Sequence, residues 1–353
     1  MRSVHGDTRI GVFTGGLPKG CSLCYAGAKI VVFVTGLCRD GCYYCPVGRS
    51  RMGQDRMYVD EEPVDSPSQV LLEAYRIGAS GASITGGDPL ARPTRVLTII
   101  RTLKSEFGDG FHTHLYTSGR LASRSLLEEL EAAGLDEIRF HPTHPSMLEK
   151  VGIAVEHTEM DVGVEVPAIP GREQELIRLA ERLEEMGAKF LNLNEMEVSE
   201  SNIEAVTRRG FRVASSGVAV EGSRETALKV VRWAARNLKR LKVHFCPAGF
   251  KDYVQTKNRL LRKARGVAHL YEELTREGTL LRGEILLSRV SGRAAKLVEE
   301  GLLVPLGGSM YATHPALLGK VLETLPPGEV GEAWVAEYHP TLGRMLVSRR
   351  RVA

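Results

Sequence analysis

The cysteines at positions 38, 42 and 45 are the residues of this 353-residue chain whose spacing says most about chemistry. They follow a C-x3-C-x2-C pattern in the run GLCRDGCYYCPVG, so one short loop can present three thiolates. Three thiolates can hold three corners of a cubane [4Fe–4S] cluster and leave the fourth iron without a protein ligand. Four cysteine ligands make a cluster an electron carrier, whereas an open iron can bind a substrate or another cofactor.

Zinc and disulfide chemistry fit this spacing less well. A tetrahedral zinc site usually shows C-x2-C pairs and needs a fourth ligand nearby. A disulfide would leave one of the three cysteines unpaired, and the N-terminus does not resemble a secretory signal. The apolar run Lys29–Val34 reads as a buried strand that leads into the cysteine loop, which argues against chance clustering.

A second set of cysteines lies outside this loop. Cys21 and Cys24 form a C-x2-C pair upstream, and Cys246 follows the last strand predicted for the core. If the three meet, they could bind an auxiliary [4Fe–4S] cluster, or a structural Zn²⁺ with His5 or His244 as the fourth ligand. The remaining alternative is that Cys246 is an ordinary buried thiol and the pair binds nothing.

The elements that must position these residues follow a regular order. Short apolar runs alternate with amphipathic stretches, which predicts an α/β fold with a parallel sheet and right-handed crossovers. Strands are predicted over residues 29–34, 82–85, 112–117, 137–141, 161–166, 189–194 and 242–245. Helices are predicted over residues 70–77, 95–107, 124–133, 173–186 and 223–238. In an open or closed β/α barrel of about six units, the polar strand ends meet at one face, where active sites lie.

The regular alternation of predicted strands and helices ends at about Gly266, which divides the chain into parts. We expect an N-terminal extension with the C-x2-C pair over residues 1–28, a core barrel over 29–252, and a small α+β appendage over 253–353.

Bulk composition is that of an ordinary globular protein, with 43% apolar and 25% charged residues. No apolar stretch reaches the length of a membrane span, so we expect a cytoplasmic protein with no membrane partner. The net charge of +4 is not a nucleic-acid signature by itself. The basic runs at 236–240, 257–265 and 349–351 read first as solvated helix faces and a frayed terminus, with phosphate contact as the alternative.

A glycine motif about forty residues after the cysteines adds a second signal. Gly86-Gly87-Asp88-Pro89 follows a predicted strand, and Tyr44 directly precedes the last cysteine of the loop. Together these motifs resemble the signature of the radical S-adenosylmethionine (radical SAM) enzymes, in which Gly-Gly-Glu-Pro is commoner. The whole is most similar to uncharacterised proteins related to pyruvate formate-lyase activating enzyme. This resemblance implies a partial (β/α)6-type radical SAM barrel over about residues 29–250.

The resemblance also implies roles for individual residues. Cys38, Cys42 and Cys45 would ligate the [4Fe–4S] cluster and Tyr44 would pack near the adenine of SAM. Gly86 and Gly87 would let the backbone approach the methionine moiety, and Asp88 would accept from the SAM ammonium. Ser118, Glu165 and Asn192, at polar strand ends, are further candidates for SAM contacts.

Family membership would imply reductive cleavage of SAM to a 5′-deoxyadenosyl radical that abstracts hydrogen from a substrate. We favour a macromolecular substrate, tRNA or a partner protein, over a small metabolite, with an electron donor of the flavodoxin or ferredoxin type. The alternative is a non-enzymatic iron–sulfur or zinc protein that serves as a redox carrier or scaffold. Neither the substrate nor the product can be identified from these residues.

Overall fold

The computed structural model describes residues 1–353, with the exception of the side chain of Asp252. The chain forms two compact units. Unit 1 consists of Met1–Tyr75 and Ala79–Thr256, and unit 2 of Arg76–Gly78 and Lys257–Ala353. The division into an N-terminal extension, a core barrel and an appendage, expected at residues 28 and 252, stays a prediction.

Unit 1 is built on one eleven-stranded sheet with the order β1-β2-β11-β10-β9-β8-β7-β6-β3-β4-β5. Its strands are β1 (Val4–Asp7), β2 (Gly11–Thr14), β3 (Lys29–Phe33), β4 (Met57–Val59), β5 (Glu62–Val64), β6 (Gly81–Thr85), β7 (His112–Thr117), β8 (Glu137–Phe140), β9 (Asp161–Ala168), β10 (Phe190–Glu195) and β11 (Lys242–Cys246).

The middle of this sheet is parallel from β3 through β6, β7, β8, β9 and β10 to β11. Its edge strands β1 and β5 are not neighbours in the described chain, so the sheet is an open, partial barrel. The predicted α/β partial barrel is therefore confirmed. The parallel part contains seven strands, and the seventh, β11, carries Cys246.

Helices connect the parallel strands. They are α1 (Lys19–Tyr25), α2 (Pro67–Ile77), α3 (Pro93–Phe107), α4 (Arg124–Ala132), α5 (Leu148–His157), α6 (Glu173–Met186), α7 (Ile203–Thr207), α8 (Ser223–Asn237) and α9 (Ala248–Phe250), with 3₁₀ turns at Pro89–Ala91 and Pro145–Met147 and a π-helical stretch at Lys251–Thr256. Local sequence sets their ends. Ser123 caps α4 by accepting from the Leu126 N–H, and Gly187, with φ of 83°, ends α6 in the left-handed conformation.

The two faces of the parallel sheet differ in chemistry. Because successive strand residues alternate between faces, Leu115, Ile138 and Leu193 lie on one face and are completely buried. Helices α6 and α8 contact β9 and β10. The opposite face carries charged and polar side chains, among them Glu137 and Arg139, which are also buried. A buried polar face of this kind requires internal partners for its charges.

The first 28 residues belong to this sheet, which the sequence did not predict. Strand β2 pairs antiparallel with β11 and with β1, and α1 lies against the polar face of the sheet. The backbone N–H of Gly20 donates to Glu137 Oε2 at 3.2 Å. A Cβ at this position would lie 2.6 Å from Arg139 Nη2, so the approach requires glycine.

Unit 2 is an α+β unit with a six-stranded antiparallel sheet, as expected. Its elements are α10 (Lys257–Val267), β12 (Glu273–Leu274), β13 (Leu280–Leu287), α11 (Gly292–Glu299), β14 (Val304–Gly307), β15 (Met310–Thr313), a 3₁₀ turn (Pro315–Leu317), α12 (Leu318–Thr324), β16 (Val330–Tyr338) and β17 (Leu346–Arg351). Its core includes Ile285, Leu303 and Ala333, all fully buried. Nowhere in the described chain is a helix both long and apolar enough to cross a membrane.

Candidate active site

The loop between β3 and β4 carries Cys38, Cys42 and Cys45 at the carboxyl end of β3. Cys38 is exposed and the other two are partly buried. The Cys42 thiol lies within electrostatic range of both Cys45 and Cys38, so the three thiols converge. Partial burial raises the pKa values of Cys38 and Cys42, and the neighbouring thiols and Asp40 add to the effect at Cys42. Burial therefore favours the protonated thiols at Cys38 and Cys42, and a bound metal would favour the thiolates.

Asp40, which the sequence reasoning missed, fixes the conformation of this loop. Its Oδ1 accepts from Arg120 Nη2 at 2.7 Å and from Thr143 Oγ1 at 3.2 Å. Burial alone would raise the pKa of Asp40, but the hydrogen bonds from Arg120 and Thr143 lower it. In the sequence, the only sign of this role is that an acidic residue lies between Cys38 and Cys42.

The glycine motif is hydrogen-bonded to the residues that precede Cys38. The Gly87 N–H donates to the Thr35 carbonyl at 2.7 Å, and the Asp88 N–H donates to the Leu37 carbonyl at 2.7 Å. A Cβ on Gly86 would lie 2.4 Å from the Thr35 oxygen, and one on Gly87 would lie 2.5 Å from the Leu37 oxygen. The close approach seen here is thus between two backbone segments. Contact of these glycines with SAM stays a prediction.

Asp88 ties the motif to the end of β7. Its Oδ1 accepts from Thr117 Oγ1 at 2.9 Å and from the Leu90 N–H at 3.1 Å. Its Oδ2 accepts from Ser118 Oγ at 2.8 Å and from the Ser118 N–H at 3.3 Å. A carboxylate has about four acceptor positions, so these protein donors occupy all of them. Asp88 and Ser118 therefore meet, as a positioning pair at the strand ends.

Tyr44 links the cysteine loop to the ends of β8 and β9. Its hydroxyl lies 3.0 Å from His141 Nε2, and His141 Nδ1 lies 2.8 Å from the Glu165 carbonyl oxygen. Burial lowers the pKa of His141, so the ring is neutral and its Nδ1–H donates to the carbonyl. Burial raises the pKa of the Tyr44 hydroxyl, which leaves it protonated as the donor to Nε2.

Glu165 and Asn192 lie deeper, in a buried charge network around Arg139. Arg139 Nε donates to Glu137 Oε1 at 2.6 Å, and its Nη1 donates to Glu165 Oε2 at 2.9 Å. Asn192 Nδ2 also donates to Glu165 Oε2, at 2.9 Å. Burial would raise the pKa values of both carboxyls, but Arg139 lowers them, that of Glu137 to about 2. Their predicted contact with SAM stays a prediction.

A cavity of about 560 Å³ opens beside the cysteine loop. Its lining includes Asp40, Cys42, Tyr44, Thr143, Val166 and Arg172. Such a volume is in the range of small-molecule and cofactor sites. Of the residues predicted to bind SAM, Tyr44 borders this cavity; the other six are not part of its described lining.

The separation of the cysteine sulfurs bears on which metal group fits. Among the described residues, only His112, His114 and Glu137 bring three ligand atoms within 4.8 Å of one another. Sulfurs around one zinc ion lie about 3.8 Å apart, given a Zn–S distance of about 2.3 Å, whereas each thiolate of a cluster binds a different iron and the spacing is wider. Cys38, Cys42 and Cys45 do not form so close a group, so the loop is not arranged around a single zinc ion.

The histidine group is a poorer cation site. Lys29 Nζ lies 3.3 Å from His114 Nε2, and a metal ion beside an ammonium group is electrostatically disfavoured. Burial, followed by the charges of Lys29 and Arg139, lowers the pKa of His114 well below its usual value.

The second cysteine set also converges. Cys21 Sγ accepts from Asn192 Nδ2 at 3.4 Å, and the Cys246 thiol lies within electrostatic range of Cys24 and Cys21. Burial raises the pKa of Cys21 to about 11 and that of Cys246 well above its usual value. The sequence had raised the meeting of these three residues only as a possibility.

Comparison with known proteins identifies the family. A model described as "Radical SAM superfamily" matches residues 32–159. A Methanocaldococcus jannaschii protein named "Putative glycyl-radical enzyme activating enzyme" is 35% identical over 94% of this chain and 92% of its own length. The chain belongs to the radical SAM superfamily. The resemblance seen in the motifs is confirmed, and this radical SAM protein is an enzyme; the non-enzymatic alternative is not retained.

More distant similarities cover less of the molecule. A "PqqA peptide cyclase" from Bradyrhizobium diazoefficiens is 31% identical over 31% of this chain and 27% of its own length. The structure of Streptococcus suis SuiB bound to S-adenosylmethionine aligns with a TM-score of 0.46 at 12% identity, over 70% of this chain and 54% of SuiB.

Proposed function

We propose that this enzyme cleaves SAM reductively at a [4Fe–4S] cluster held by Cys38, Cys42 and Cys45, and that its substrate is a polypeptide. When bound, the cluster passes one electron to SAM, which splits into methionine and a 5′-deoxyadenosyl radical that removes a hydrogen atom from the substrate. We expect the electron to come from a flavodoxin- or ferredoxin-type donor.

One observation carries the proposal: the three converging thiols border a cofactor-sized cavity through Cys42. Tyr44 offers an aromatic ring on the same side, as expected of a residue near adenine. Asp40 and Arg120 hold the loop, and the Gly87 hydrogen bond fixes its start. The arrangement keeps the thiols next to the space where SAM would bind, which is the requirement for electron transfer to its sulfonium.

Asp88 supports this function by positioning. With its four acceptor positions used, Asp88 orients Thr117 and Ser118, and Arg120, two residues after Ser118, hydrogen-bonds Asp40 in the cysteine loop. The predicted contact between Asp88 and the SAM ammonium would replace one of these donors. We retain Gly86, Gly87, Asp88 and Ser118 as the side of the site that faces the methionine moiety.

A polypeptide substrate is favoured by the names of the relatives. Glycyl-radical enzymes are proteins, and the Methanocaldococcus jannaschii relative, which matches nearly the whole chain, is named "Putative glycyl-radical enzyme activating enzyme". The cyclase relative is named for a peptide substrate. We therefore propose that the 5′-deoxyadenosyl radical acts on a residue of a partner protein or peptide.

The tRNA alternative has less support in the basic runs. In the run at 257–265, Arg259 and Lys263 are buried, and Lys257 pairs with Glu277 at 3.0 Å. At the C-terminus, Arg349 lies over the Trp334 ring and pairs with Glu284 at 2.8 Å. These four side chains are buried or paired within the protein, which reduces the positive charge that the two runs can offer to phosphates.

Fractionated cell extract tests the substrate class. The reconstituted enzyme, SAM and a chemical reductant would be combined with the protein, RNA or small-molecule fraction, and 5′-deoxyadenosine would be quantified. We expect the protein fraction to stimulate the yield and protease treatment to abolish the stimulation. Stimulation that survives protease but is lost on ribonuclease treatment, or that stays with the small-molecule fraction, would contradict a polypeptide substrate.

A further inference from the structure

Helix α1 and strand β11 bring a second set of thiols together. Cys21 and Cys24 are three residues apart on α1 and so lie on one side of it. Cys21 accepts from Asn192 on β10, and Asn192 is in register with His244 on β11, two residues before Cys246. The hydroxyl of Tyr25, the residue after Cys24, lies 3.3 Å from His244 Nε2, so the end of α1 packs against the part of β11 that carries Cys246.

Neither cysteine set is compact enough in this structure to surround a single zinc ion. In the described part of the chain, Cys21, Cys24 and Cys246 do not all fall within 4.8 Å of one another, just as Cys38, Cys42 and Cys45 do not. A single zinc ion needs about 3.8 Å between thiolates, so it would require the helix and the strand to move closer. A cluster binds each thiolate at a different iron, so it accepts sulfurs that lie farther apart.

The surroundings of these sulfurs are polar and contain charges of both signs. Arg139 lies near Cys21 and Lys251 lies near Cys246, with the carboxylates of Glu137 and Glu165 in the same region. Cys21 is also a hydrogen-bond acceptor from Asn192, as sulfurs of bound clusters commonly are.

His244 is an independent sign of a ligand at this place. It is 1% exposed, and its Nδ1 has no hydrogen-bond partner among the described residues. Its Nε2 lies 3.3 Å from the Tyr25 hydroxyl, and Tyr25 follows Cys24 on α1. A histidine that binds a metal through one nitrogen usually has the other held by a neighbour, which is the arrangement seen here. His244 and Cys246 share one face of β11 because they are two residues apart.

We propose that Cys21, Cys24 and Cys246 bind a second [4Fe–4S] cluster, with His244 Nδ1 as the ligand of its fourth iron. The inference goes beyond SAM cleavage and does not depend on it. A cluster with all four irons ligated by protein is of the electron-carrying type, unlike the first cluster, whose open iron can bind SAM.

Iron, sulfide and zinc analysis of the anaerobically reconstituted full chain tests this assignment. We expect about eight irons and eight sulfides per chain and no zinc. The Cys21→Ala/Cys24→Ala variant should retain about four irons, and the matched Cys38→Ala/Cys42→Ala variant should also retain about four. About four irons in the wild type, with or without one zinc, would overturn the proposal.

Two histidine substitutions, one at His244 and one at a control position, test the fourth ligand without changing the thiols. His244→Ala should keep the iron content while changing the electron paramagnetic resonance spectrum of the cluster that remains in the Cys38→Ala/Cys42→Ala background. His5→Ala, which changes an exposed histidine on β1, is the control and should leave that spectrum unchanged. An identical spectrum in His244→Ala would overturn the assignment of His244. Loss of SAM cleavage with eight irons present would contradict the proposed function alone.

Discussion

The Gly87 N–H donates to the carbonyl oxygen of Thr35 at 2.7 Å, which joins the glycine motif to the strand end that precedes the cysteine loop. The two motifs are distant in sequence, yet each determines where the other lies. The site is therefore one structural unit, in which a change at the glycines must move the thiols.

Gly87→Ala tests this coupling. A Cβ at Gly87 would lie 2.5 Å from the Leu37 oxygen, a backbone atom that cannot move without the loop. We expect a loss of stability of about 1–3 kcal/mol and a reduced iron content at Cys38, Cys42 and Cys45. Gly48→Ala is the control, because Gly48 lies beyond Cys45 in open space. Equal iron content in the two variants would contradict the coupling.

Asp88→Glu tests whether the carboxylate acts by positioning. Glutamate is the commoner residue in the family, but here the extra methylene would have to fit between Thr117 and Ser118, which already bond both oxygens. We expect about 1–3 kcal/mol lower stability and a higher KM for SAM, since the strand ends shift. Thermal unfolding and SAM titration measure the two effects. Unchanged stability and an unchanged KM for SAM would contradict the positioning role of Asp88.

Arg139→Met should be among the most damaging substitutions in unit 1. It would leave Glu137 and Glu165 buried without their cation, which costs about 3–5 kcal/mol. Arg124→Ala removes an exposed pair with Glu128 and should cost at most about 0.5 kcal/mol. Denaturant unfolding of both variants checks the difference, and equal losses would contradict the importance of the buried network.

Acid should weaken the same network. Burial alone would raise the pKa of Glu137, but Arg139 and His112 lower it to about 2. Because the pKa of Glu137 is lower in the folded than in the unfolded chain, the ionised carboxylate stabilises the fold at pH values above the unfolded-state pKa of about 4.5. This contribution to the free energy of unfolding, about 3 kcal/mol, is lost as the pH falls toward 2. The stability difference between wild type and Glu137→Gln should thus shrink between pH 5 and pH 2.5. A difference independent of pH would contradict the assignment.

Much of this fold follows from the sequence, because the parallel strands and long helices have strong local patterns. The predicted bounds of β7 (residues 112–117) and α6 (173–186) agree with the structure to the residue. The cysteine and glycine motifs were recognisable for a related reason: their chemistry requires fixed residue types at short spacings.

Other features depend on contacts between distant residues and could not be read locally. Helix α1 is only seven residues long, and its place against the polar face depends on Gly20 meeting Glu137 and Arg139. The Arg139 network joins four strands, so no single segment predicts it. The roles of Glu165 and Asn192 were inferred from their strand ends alone, whereas their hydrogen bonds place them between Arg139 and Cys21.

Production of 5′-deoxyadenosine is the most direct test of the central claim. The anaerobically reconstituted wild type and Cys42→Ala would be incubated with SAM and a chemical reductant, and 5′-deoxyadenosine and methionine quantified. We predict equimolar products from the wild type and a loss of about a hundredfold or more in Cys42→Ala, since that thiol holds one corner of the cluster. No product from a wild type loaded with iron and sulfide, or undiminished product from Cys42→Ala, would contradict radical SAM chemistry at this site.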